Sequence, residues 1–215
     1  MMIATRMRGR FVWLLASLCL LLVVSPFFKG EGVGLYVLRG FFSLLILAAA
    51  FASIRRAGTV IVLGVLIAAW MALNWFGILS GYQYQPVLAD LMMVMVLVFA
   101  IGHALHRVMS ARQVDFNILC GAVSVYLLLA VTWALLFRLI EGAQPGSFAL
   151  PNKDIYANFN QFIYFSLSSL TTLGYGDIAP LTPVARIWST LEAVTGVLYI
   201  AVLVARLVSL YRSPD

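Results

Sequence analysis

Charge is what this 215-residue chain has least of. Only 10% of its residues are Asp, Glu, Lys or Arg, against about 25% in an ordinary soluble domain. Nearly two thirds are hydrophobic (63%), and the mean hydropathy is +1.02. That balance excludes a water-soluble fold and makes lipid the solvent. There are two cysteines, Cys19 and Cys120, each inside an apolar run. They allow no disulfide framework and no metal-ligand spacing, and both read as packing residues. The net charge of +6 comes from basic residues scattered between apolar runs, with no patch of the kind that grips nucleic acid. No internal repeat, nucleotide-binding segment or calcium loop is present. Paired acids and a Ser/His dyad of the kind an intramembrane protease needs are missing too.

What the chain does have is length in its apolar runs. A bilayer core about 30 Å thick needs about 20 apolar residues per helix. Six runs qualify: 11–28, 34–53, 58–79, 87–105, 117–139 and 183–210. The first follows Arg6, Arg8 and Arg10, as a signal peptide would, but its apolar stretch is long and no A-x-A site follows, so it reads as an anchoring helix. Arg55, Arg56, Arg107, Arg112 and Arg212 fall on the same side as the N-terminal arginines if six helices alternate. The positive-inside rule then puts both termini in the cytoplasm and the loop 141–154 outside. Within 87–106 stand Asp90, His103 and His106 but no arginine repeat, so this helix is no voltage sensor. The two histidines read as interfacial residues.

One apolar stretch is too short to span. Asn158 can cap a helix over 159–170, about 18 Å long at 1.5 Å per residue. It reads as a half-membrane, re-entrant helix. The run SSLTTLGYGD, residues 168–177, follows. Non-helical backbone at membrane depth is tolerated only where protein buries it or water lines it. Thr182 and Pro183 then supply the cap and first turn of the last spanning helix.

A glycine-rich extended ribbon has a direct chemical use at that depth. Stripping water from a cation is costly unless other oxygens replace it, and aligned backbone carbonyls do so. Glycine permits the backbone angles required, and a threonine hydroxyl adds a further oxygen. The run TTLGYGD, between a half-helix and a capped spanning helix, resembles the signature of the potassium-channel pore family, whose TVGYG loops are the best-known carbonyl filter. The resemblance covers about residues 117–210. It implies an all-α membrane fold of six transmembrane helices, a re-entrant pore helix and a filter loop. Residues 1–110 would be a four-helix module without sensor charges, and 111–215 the pore domain. It implies a homotetramer, because a ring of carbonyls needs four chains and each chain carries one filter. Potassium would be the permeant ion, the filter its only metal site, membrane lipid the surroundings, and no cofactor or enzymatic activity would be involved.

The resemblance also assigns residues. Thr172, Leu173, Gly174, Tyr175 and Gly176 form the filter, and Asp177 stands at its outer mouth and holds it from behind. Leu173 replaces the family's usual valine. Thr171, Ser168, Tyr164 and Phe165 support the filter, the two aromatics as part of a cuff. The family's pore-helix glutamate, where present, falls at Ser168, so its pairing with Asp177 is missing or altered. Gly196 takes the place of a gating hinge, with close helix packing as the alternative. Glu192, an acid within the last helix, either faces the pore and attracts cations or bonds Ser166 or Ser168. Glu141 and Asp154 read as ordinary solvated loop residues. The function implied is a passive potassium channel with weak intrinsic voltage dependence. The alternatives are an accessory subunit that conducts poorly alone and a weakly selective cation channel.

Overall fold

Apolar runs in lipid must satisfy their backbone internally, and helices do so within one segment. The structure is a computed structural model that describes residues 9–27, 40, 42–44, 48, 64–73, 85–111, 113–150 and 159–211. Its described elements are helical: α1 (Arg10–Val24, continued by a 3₁₀ turn over Ser25–Phe27), α2 (Gly64–Leu73), α3 (Gln85–Met109), α4 (Phe116–Ala143), α5 (Phe159–Leu170) and α6 (Pro183–Tyr211). Four are long and apolar enough to cross a membrane: Arg10–Phe27, Val87–Met109, Phe116–Ala143 and Pro183–Arg206. These match the first, fourth, fifth and sixth apolar runs. Most of the run 34–53 and much of 58–79 lie outside the described residues. So do Arg6, Arg8, Arg55, Arg56, Arg112, Arg212, Asp154 and the cap residue Asn158.

The long helix α4 is the spine. Asp115 caps it, accepting from the Ile118 N–H at 2.7 Å, which satisfies one of the orphan donors of its first turn. α1, α3 and α5 all pack against it. Asn117 ties in α1, its Oδ1 accepting from the Phe11 N–H at 3.1 Å. At the far end of α1, the Asn160 amide donates to the Ser25 carbonyl at 2.7 Å. The two ends of α1 are thereby pinned to α4 and to the start of α5.

The core is apolar and threaded by rings. Phe137 of α4 meets Phe165 of α5 and Phe148 of the following loop, with centroids 5.1 and 5.4 Å apart. Phe148 in turn meets Phe162 at 5.8 Å. Such edge-on pairs contribute about 0.5–1.5 kcal/mol each beyond their buried area. Cys120 is buried in this core as a packing residue, whereas Cys19 is exposed, which corrects its reading as a packed side chain.

The loop after α4 corrects another expectation. Glu141 is no solvated loop acid. It is buried, and its two carboxylate oxygens accept from the Gly146 N–H at 2.7 Å and the Phe148 N–H at 2.9 Å. Folded in this way, the loop reaches the segment after the TTLGYGD run. Ala149 N–H donates to Ala179 O at 2.9 Å, and Leu181 N–H to Ser147 O at 2.7 Å. Thr182 caps α6 as expected, its Oγ1 facing the Ala185 N–H at 3.4 Å.

Candidate functional site: the glycine-rich run between α5 and α6

Seven of the twelve residues of α5 are buried, and only Tyr164 is exposed. Ser168 closes its end. The Ser168 carbonyl accepts from Leu173 N–H at 2.8 Å and Gly174 N–H at 3.2 Å, and its hydroxyl accepts from Tyr175 N–H at 3.4 Å. One serine thus folds the start of the run back over the helix end.

Beyond that point the backbone takes an unusual course. Thr172 has φ 59°, Gly174 φ 58° and Gly176 φ 80°. Every second residue lies in the left-handed region. For the β-branched Thr172 that conformation is a true outlier, of the kind found at functional sites at a cost of about 1–3 kcal/mol. Alternating the sign of φ along a chain turns each peptide plane so that successive carbonyls face one side, where an ordinary strand would alternate them. Residues 171–177 are all exposed in the single chain.

Tyr164 and Phe165 point in opposite directions. Phe165 is buried in the ring cluster with Phe137 and Phe148. Tyr164 faces the run. Its ring stacks parallel to Tyr175, 6.3 Å away, and its hydroxyl donates to Asp177 Oδ1 at 3.0 Å. Asp177 therefore finds its partner one turn before Ser168. Thr171 is exposed, and its hydroxyl bonds the Leu167 carbonyl at 2.7 Å.

Helix α6 backs onto the base of the run. At Gly196 an added Cβ would overlap the Leu170 carbonyl oxygen and come 3.2 Å from Leu170 Cδ1. The same carbonyl accepts from the Tyr126 hydroxyl at 3.0 Å. α6 runs unbroken through Gly196, so the geometry there is that of close packing. Glu192, one turn earlier, is fully enclosed and hydrogen-bonded to the Ser166 hydroxyl. It does not line the apolar recess of about 280 Å³ below Thr172, formed by Ala193, Val194, Val197 and Leu198. Much of the rest of α6 is bare: Val184, Ile187, Leu191, Val197, Leu198, Val202 and Val204 are all exposed.

Sequence reading missed one feature near the site. Arg138 of α4 makes a two-pronged ion pair with Asp90 of α3, with Nε to Oδ2 at 2.8 Å and Nη2 to Oδ1. Its guanidinium also lies 4.5 Å from the centre of the Phe159 ring, the first residue of α5. The signal was present, since Asp90 and Arg138 are lone charges in apolar runs, and such charges pair. Among the described residues, no group of three or more His, Cys, Asp or Glu side chains is placed to hold a metal ion.

Comparison with known proteins agrees with this geometry. Residues 118–213, which hold α4, α5, the run and α6, match the family model described as ion channel. An inward rectifier potassium channel, Kirbac3.1 of Paramagnetospirillum magnetotacticum, is 33% identical over 75 residues. The match covers 35% of this chain and 22% of that protein. The potassium channel protein kcv of Paramecium bursaria Chlorella virus 1 is 27% identical over 71 residues, 33% of this chain and 76% of its own. These relatives are channels and not enzymes, and the chain is a multi-pass membrane protein by its apolar helices. In its glycine-rich run and over residues 118–213, the chain is similar to ion-channel proteins, potassium channels among them.

Proposed function

We propose that four copies of this chain surround a common axis and form a potassium-selective channel. The observation that carries this reading is the alternation of positive φ at Thr172, Gly174 and Gly176 in a segment left bare by its own chain. Bare backbone and the exposed apolar face of α6 are both costly to leave as they are. Packing copies around the run covers the apolar face and leaves only the carbonyls open to an aqueous axis. A potassium ion entering there exchanges water for carbonyl oxygens. The Thr172 hydroxyl adds an inner oxygen ring, and Leu173 and Tyr175 point away from the ions. The C-terminal end of α5 turns the negative end of its dipole toward the cavity below, and Asp177 raises cation concentration at the outer mouth.

In this reading residues 111–215 are the pore domain and residues 1–110 a flanking module, with both termini cytoplasmic in the cell's plasma membrane. The lone Asp90 of α3 is paired with Arg138, and no basic series runs along that helix, so opening is weakly dependent on voltage. The test is potassium uptake by liposomes holding the purified protein. Uptake that rubidium shares, that sodium does not, and that Gly176→Ala abolishes supports the reading. Folded protein without uptake moves the chain to the accessory-subunit reading, and equal sodium uptake to a weakly selective cation channel.

A further inference from the structure

Glu192 is fully buried behind the run, between α6, α5 and α4, and its surroundings fix its proton. The Ser166 hydroxyl lies 2.8 Å from the Ala130 carbonyl of α4 and also bonds Glu192 Oε1. A hydroxyl has one proton to give. A carbonyl can only accept, so Ser166 gives its proton to Ala130. The contact with Glu192 then needs a second proton, and only the Glu192 carboxyl can supply it. The other oxygen, Oε2, is buried with no hydrogen-bond partner. A carboxylate left so would be an uncompensated charge in a low-dielectric interior, a situation in which a group neutralises.

No neighbour supplies compensation. On α4, Tyr126 gives its hydroxyl to Leu170 O, Arg138 is paired with Asp90, and Glu141 accepts from Gly146 and Phe148. On α6, Tyr199 gives its hydroxyl to Ala122 O at 2.7 Å, Arg186 bonds Pro180 O, and Arg206 bonds Ala111 O. On α5, Tyr164 is turned to Asp177. Among the described residues no Lys, Arg or His bonds Glu192.

We propose that Glu192 is a positioning residue held as an uncharged carboxylic acid. Its proton forms the first link of a chain from α6 through Ser166 of α5 to Ala130 of α4. Loss of that proton sets a carboxylate oxygen against the Ser166 oxygen. Ser166 can then bond Glu192 only by leaving Ala130. Either way one of the three helices behind the run is released. The state of the proton is independent of what the protein conducts. Its effect on conduction rests on the channel reading above.

The experiment is infrared difference spectroscopy of the purified protein in lipid. At neutral pH the wild type should show a carbonyl band of an un-ionised carboxylic acid that Glu192→Gln lacks and that disappears in alkaline buffer. Ser166→Ala, which keeps the acid and removes its acceptor, should keep the band and shift it to higher frequency. A folded wild type without the band overturns the proposal, and so does a band that Ser166→Ala leaves in place. Where Glu192→Gln fails to fold, the Ser166→Ala shift decides. Potassium current gives the second readout. It should be lost at alkaline pH in the wild type and stay level in Glu192→Gln, whose amide keeps a donor. Equal alkaline loss in both overturns the link between proton and conduction. An absence of current in both refutes the channel reading and leaves the spectroscopic result standing.

Discussion

Replacing Gly196 by alanine sets two known effects against each other. On helix propensity alone, alanine is about 1 kcal/mol better than glycine in a helix interior, so the substitution should stabilise α6. The structure puts the new methyl into the Leu170 carbonyl oxygen, with Leu170 C at 3.0 Å and Cδ1 at 3.2 Å. The obstacle is backbone at the end of α5 and cannot rotate aside. Overpacking of this kind costs about 1–3 kcal/mol. Displacing Leu170 also endangers its hydrogen bond from Tyr126, about 1 kcal/mol more. The clash therefore outweighs the propensity gain, and Gly196→Ala should destabilise the protein by a net 1–3 kcal/mol or so. At about 2–4 °C per kcal/mol for a chain of this size, the thermal midpoint in detergent should fall by several degrees. Alanine that leaves the midpoint unchanged or raises it would refute the close approach. A changed open probability at unchanged stability would instead favour the hinge that the family resemblance implies.

Four further outcomes follow from the same geometry. Removing Arg138 alone, as Arg138→Leu, strands the buried Asp90 carboxylate and should cost about 3–5 kcal/mol. Adding Asp90→Leu should restore much of that loss in the same melting assay. Glu141→Gln turns one of two accepting oxygens into a donor facing an N–H, and should lower stability by about 1–3 kcal/mol, with faster proteolysis of the loop 144–150. Tyr164→Phe frees Asp177 while keeping the ring stacked on Tyr175, and single-channel records should show shorter openings with unchanged selectivity. A conductance–voltage curve in a pure bilayer should be shallow, and a steep one contradicts the absence of sensor charges from α3.

The parts of this molecule legible in the sequence were those with local signatures. Length and hydropathy mark four of the described spans, and a capping threonine before Pro183 marks the start of α6. TTLGYGD announces its chemistry because few other uses exist for such a run behind a half-helix. The links between these parts were less legible. Asp90 and Arg138 stand 48 positions apart, and no periodicity relates them. Glu141 looks like a loop acid until the chain folds back and offers it two N–H groups. Asp177 was expected to lack the acid partner that some family members carry at the position of Ser168, but its replacement, Tyr164, one helical turn away on the face of α5 toward the run, was not foreseen. For Glu192, sequence alone left the pore and the pore-helix serines open; burial against Ser166 distinguishes them.

Everything proposed for conduction turns on whether the Thr172–Gly176 backbone selects potassium. The reversal potential of the purified protein in a planar bilayer, with potassium on one side and sodium on the other, decides it. The expected value lies near the potassium equilibrium potential, unchanged in Tyr164→Phe and lost with Gly174→Ala. A robust current reversing near zero would contradict that selectivity.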